Sequence, residues 1–168
     1  MLDIKRHFQK VNAVKGHSRP FAAWFKDGDY TLTILRVEVR RNDRGVFFIV
    51  EFLIESARAI NAHQTNSVGE RVSICHNVER NDQALPNVVE FIAAAVGSPF
   101  ATEAKIKDTI EQLTADDQPS RGMRIGGRTF RKERFNGDDF LGVNFYRVEE
   151  HDPAEVFNRR LALDAKGL

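Results

Sequence analysis

Apolar and polar positions alternate most regularly over residues 28–55, where GDYTLTILRVEVRRNDRGVFFIVEFLIE reads as two strands folded back on a polar turn. Tyr30, Leu32 and Ile34 alternate with Thr31 and Thr33, which gives the one apolar face that a half-buried strand needs. After Ile34 the phase slips by one. Leu35, Val37 and Val39 become the apolar set and Arg36, Glu38 and Arg40 the polar one. An inserted residue or a sharp bend produces such a slip, and the expectation is a strand that serves two faces of a curved sheet. Asn42, Asp43 and Gly45 supply turn chemistry at 41–45. The return strand carries Phe48, Val50, Phe52 and Ile54 on one face and Phe47, Ile49 and Leu53 on the other, which predicts cover on both sides.

Further elements follow from the same reading. Residues 2–11, with Leu2, Ile4, Phe8 and Val11, suit a short amphipathic helix, and 16–20 a connector. Residues 56–67 are polar and read as a loop, with a turn of helix at 57–62, before a third strand at 70–76 in which Val72 and Ile74 oppose Arg71, Ser73 and Cys75. A helix is predicted at 85–96, opened by Pro86 and stopped by Gly97, and a more polar one at 102–113 with Thr102 as its cap. Met123 and Ile125 start a fourth strand that Gly126 and Gly127 break or bulge. The turn Asn136-Gly137-Asp138 leads into a fifth at 140–148, and Asp152 and Pro153 open a last helix over 153–163.

Five strands with helices between the third and fourth follow the chain order of the OB-fold, a small Greek-key barrel whose face often binds oligonucleotides. The expected fold class is therefore mainly β with added α: a five-stranded OB-fold barrel, a helical insertion between strands 3 and 4, and a C-terminal helix. The expected organisation is a basic N-terminal arm over 1–26, the barrel over 27–150 and a helical tail over 151–168.

Composition changes this picture only locally. The 168 residues suffice for one domain with a substantial core, and the 25 Lys+Arg against 24 Asp+Glu leave no bulk charge to attract nucleic acid or membrane. Positive charge is concentrated in the arm and over 121–134. The arm is either a docked extension whose aromatics plug one end of the barrel or a nucleic-acid-binding segment. Cys75 is the one cysteine, so no internal disulfide can form, and with a charged N-terminus and no membrane-length apolar stretch a cytoplasmic protein is expected.

The five histidines lack metal-ligand spacing, adjacent Cys75 and His76 point to opposite faces of a strand, and no phosphate-loop pattern occurs. No enzyme, metal or cofactor is therefore expected. Single-strand binding needs cations for phosphates and aromatic faces for bases. The candidates are Trp24, Arg36, Arg40, Arg41, Arg44 and Phe47 around the first hairpin, and Arg124, Arg128, Phe130, Arg131, Lys132, Arg134 and Tyr146 along the last two strands. The alternative is an ordinary polar sheet face in which Glu38, Glu51, Glu133 and Glu149 pair with these arginines across strands.

The segments GDYTLTILRVEVRRNDRGVFFIVEFLIES, GERVSICHNVERNDQALPNVVEFIAAAVG and GRTFRKERFNGDDFLGVNFYRVEE together resemble bacteriophage and prophage OB-fold single-stranded-DNA-binding proteins. The resemblance spans roughly residues 28–150 and is most specific at ALPNVVEFIAAAVG. It implies a non-catalytic protein that coats single-stranded DNA in replication or recombination, with homo-oligomer formation, replication or recombination proteins as partners, and the host cytoplasm as its place. The C-terminal sequence is mixed in charge and departs from the acidic recruiting tail of many such proteins. The other expectation is a phage structural or interaction protein that uses the barrel as an assembly scaffold.

Overall fold

The computed structural model describes residues 2–10, 14–15, 23–97, 103–133, 136–137, 139–148 and 151–168. In chain order the elements are α1 (Leu2–Lys10), β1 (Val14–Lys15), β2 (Asp29–Asn42), β3 (Gly45–Arg58), β4 (Arg71–Asn77), α2 (Ala84–Val96), α3 (Glu103–Leu113), β5 (Arg124–Glu133), β6 (Asp139–Tyr146) and α4 (Pro153–Ala165). The Thr102 cap lies outside the described residues.

The β2–β3 hairpin is the frame. Its turn is closed by the Asn42 side chain, which accepts from the Arg44 N–H at 2.9 Å, and Gly45 takes φ +137°, where a side chain would be strained. Pairing is interrupted twice: Glu55 is the extra residue between the Thr31–Ser56 and Leu32–Ile54 pairs, and Leu35 between Ile34–Phe52 and Arg36–Glu51. The phase slip read from the sequence is thus a β-bulge, but its effect is the reverse of the one expected. Because a one-residue shift in pattern coincides with a one-residue insertion in pairing, Tyr30, Leu32, Ile34, Val37 and Val39 all join one core, instead of serving two faces. Without the bulge, Arg36, Glu38 and Arg40 would face the hydrocarbon.

The core side of the sheet meets α2, whose Leu85, Val88, Phe91, Ile92 and Ala95 are buried. Phe91 packs edge-on to Phe52 and Phe145 at centroid distances of 5.9 and 5.5 Å, and Phe52 stacks on Phe145 at 5.5 Å. Gly97 ends α2 in the left-handed region, φ +75°. Ile106, Ile110 and Leu113 of α3 and Ile4 and Phe8 of α1 extend the same core, and α4, capped by Asp152, is tied down by the Arg159 guanidinium on the Gly122 carbonyl.

The strand path is β4-β3-β2-β5-β6, antiparallel throughout, with β1 added in parallel to β2. The path ends at β4 and β6, and these two ends are not paired with each other. The expected closed Greek-key barrel is therefore corrected to an open, mixed α/β architecture, a twisted antiparallel sheet with helices packed on it. The identification with phage OB-fold proteins, and the phage and DNA-binding descriptors that rested on a barrel groove, fall with it.

The physical reason for the open seam lies just before β2. Ala23 forms a parallel bridge with Val72 and accepts from the Ser73 N–H at 3.1 Å, so it occupies the outer edge of β4. On the other side, the Trp24 indole donates to the Leu141 carbonyl at 3.3 Å, and Glu90 of α2 accepts from the Phe145 N–H at 2.7 Å. Both facing edges are thus served by groups other than each other, as edge strands require. The far edge of β2 is closed in the same manner: the Gln118 carboxamide accepts from the Val37 N–H at 2.7 Å and donates to its carbonyl at 2.9 Å, a side chain standing in for a strand.

Candidate nucleic-acid interface

Strict period-2 geometry places Gly126, Arg128, Phe130 and Lys132 on one face of β5, and their direct partners Tyr146, Asn144, Gly142 and Phe140 on the same face of β6. Each of the two larger exposed aromatics lies against a glycine of the opposite strand. A Cβ at Gly126 would meet the Tyr146 ring at 2.2 Å, and one at Gly142 the Phe130 ring at 2.2 Å. Gly126 and Gly127, read from the sequence as a break or bulge, are instead regular strand positions: Gly126 is covered by the Tyr146 ring, and Gly127 faces the core against Leu32 and Val143. Phe130 is 37% and Tyr146 41% exposed. They stand four residues apart along the ribbon, about 13 Å, with Arg128 between them and Lys132 beyond. Neither Arg128 nor Lys132 has an ion-pair partner among the described residues.

Tyr146 is held in place. Its hydroxyl donates to Asp29 Oδ1 at 2.5 Å, and Arg58 donates to Asp29 Oδ2 at 2.7 Å. Burial alone would raise the Asp29 carboxyl, but the hydrogen bonds from Tyr146 and Arg58 outweigh it and hold Asp29 below the ordinary carboxylate range. Burial, and then Asp29 itself, push the Tyr146 phenol up to about 12. Tyr30, the other tyrosine, is also raised, first by burial. A pH titration of phenolate absorbance is therefore expected to show Tyr146 still protonated at pH 10 and ionising at about 12, with Tyr30 also shifted above 10, while the chain is folded. Both phenols sit above their unfolded value, so this contribution to stability is complete below pH 10 and is lost as pH rises through their folded values, about 12 for Tyr146. An ordinary tyrosine titration in the folded protein would contradict the Tyr146–Asp29 lock.

The remaining candidates are placed elsewhere or are engaged. Arg36 and Arg40 flank Glu38, at 3.0 and 2.6 Å, and Arg40 is only 4% exposed, so it is part of the protein interior. Arg41 donates to the Phe8 and Gln9 carbonyls and so caps the last turn of α1. Arg44 is exposed at the hairpin turn, and Phe47 is half-buried opposite Arg40 and Asn77. Arg124 pairs with Glu55 at 2.5 Å, on the same face as the ribbon, whereas Arg131 grips the buried Asp27 through Nε at 3.0 Å and Nη2 at 2.5 Å. The Arg131 hydrogen bond is the main reason that the Asp27 carboxyl is lowered. Trp24 is 39% exposed at the seam, and Arg134 lies outside the described residues.

Two further residues complete the face. Arg58, exposed beside Asp29 and Arg128, was hidden because the 56–67 stretch reads as a loop, whereas β3 continues to Arg58. Asn144 sits opposite Arg128, and its signal was the alternation of the last strand. Among the described residues no helix is long and apolar enough to cross a membrane. No protein-family model matches this chain, and no curated protein matches it significantly.

Proposed function

We propose that the protein binds single-stranded nucleic acid, without catalysing a reaction on it, along the exposed face of the β5–β6 ribbon. The observation that supports this best is the spacing of Phe130 and Tyr146, two rings seated on glycines with a cation between them. Each ring offers a face on which any base can stack, and Arg128, Lys132 and Arg58 offer charge to the intervening phosphates. Such a surface tolerates sequence because it contacts base faces and backbone. In this reading the protein works in the cytoplasm, where the exposed Cys75 stays a thiol.

The test is an anisotropy titration with a labelled short oligo-dT at several salt concentrations. Two or three phosphate contacts predict a log–log salt slope of about −1.5 to −2, at roughly 0.7 per phosphate for single strands. The absence of binding at micromolar protein and low salt would end the proposal. A second reading, an interaction or assembly protein, is favoured by Phe157 and Leu161, 59% and 52% exposed one turn apart on α4. A stable oligomer indifferent to oligonucleotide would select it.

A further inference from the structure

The open seam between β4 and β6 leaves a slot lined by Trp24, Ile74, His76, Asn87, Phe130 and Gly142, among others, with a volume of about 20 Å³. That is room for one water-sized group and not for a ring. Its walls are aromatic and aliphatic, yet two polar side chains converge on it from different elements: His76 from β4 and Asn87 from the first turns of α2. Neither side chain has a hydrogen-bond partner among the described residues. A mostly apolar recess with a few unengaged donors and acceptors is the general form of a recognition site. Phe130 belongs to both places: it lies on Gly142 in the ribbon face and forms one side of the slot.

We propose that this slot reads the edge of one base: a base stacked at Phe130 inserts an exocyclic oxygen or amino group between Trp24 and Phe130, where Asn87 and His76 hydrogen-bond to it. The inference rests on the ribbon-face reading and adds to it a single position of base preference on an otherwise sequence-tolerant surface. The carboxamide of Asn87 supplies both donor and acceptor, and the imidazole supplies one of each while neutral. Burial pushes His76 down to about 4, so it is neutral across the working pH range, and the recess remains free of charge. A base whose edge cannot satisfy these groups leaves them desolvated, which is how such sites discriminate.

The experiment compares oligo-dT, -dC, -dA and -dG of equal length, with the full chain and with Asn87→Ala and His76→Phe. Asn87 is on the half-exposed side of α2, where alanine favours the helix, so that variant folds even where the second does not. The wild-type chain should prefer one base over the poorest by roughly five- to tenfold, the worth of a hydrogen bond, and either variant should lose the preference while still binding the poorest homopolymer. Equal affinity for all four in the wild type, or an unchanged preference in both variants, would overturn the slot and leave the ribbon reading standing. Failure to bind any of the four would overturn both.

Discussion

Replacing Phe130 and Tyr146 together by alanine should weaken oligonucleotide binding by about thirtyfold or more. Each stacked base is worth roughly 1–3 kcal/mol, and 1.4 kcal/mol is a factor of ten. The rings sit on separate glycines about 13 Å apart, far enough for their contributions to add. Both are about two-fifths exposed, so their loss removes little of the core. Tyr146→Phe separates the two roles of that residue: the ring remains, the bond to Asp29 goes, and affinity should be nearly kept. Arg128→Ala should lower the salt slope by about 0.7. Titration of these variants beside the wild type checks the assignment, and a double alanine variant that binds as tightly as the parent would refute it.

Glu38→Ala should destabilise the fold by about 3–5 kcal/mol, the usual effect of leaving a buried charge without its partner. The Arg40 guanidinium is buried, and among the described residues its hydrogen bond is to Glu38 at 2.6 Å, with no partner for Nε and Nη1. Removing the carboxylate strands that cation. Changing both residues, Glu38→Leu with Arg40→Met, removes the charge as well as its partner and should bring stability back to near that of the parent or above it. Urea unfolding of the two variants decides the matter. If the single variant were as stable as the parent, Arg40 would have to reach solvent, and its placement in the interior would be wrong.

This pair also shows where sequence ran out. Arg36, Arg40 and Arg44 share a strand and its turn, and alternation says only that they are on the polar side. It does not say that the extra residue at Leu35 keeps Glu38 on the face away from the core, between two arginines, or that Arg40 is covered there. The hairpin, α2 and α4 were legible because their signals are local: turn residues, a period of two, a period of 3.6, and caps at Gly97 and Asp152. The open seam was not, because it depends on contacts between Ala23 and Val72 and between Trp24 and Leu141, which no periodicity encodes. Strand count and order therefore suggested a closed barrel, while the edges are occupied by Ala23, Trp24 and Glu90.

Of the candidate site, Phe130, Tyr146, Arg128 and Lys132 were named from the sequence, but undivided from Arg124, Arg131 and Arg134; the β5–β6 pairing is what puts the four on one face. That Gly126 and Gly142 serve as seats for the rings became visible only with the β5–β6 register. Arg131, next to Lys132 in the chain, is turned the other way and committed to Asp27.

Backbone amide shift mapping on adding oligo-dT at low salt shows whether single strands lie along the β5–β6 ribbon. Perturbed amides should concentrate in 126–132 and 140–146, with Arg58 and Asp29 beside them, while α4 and the Glu38–Arg40 end of the sheet stay unchanged. Perturbations confined to α4 or to the Glu38–Arg40 end, or none at all, would contradict binding at the ribbon.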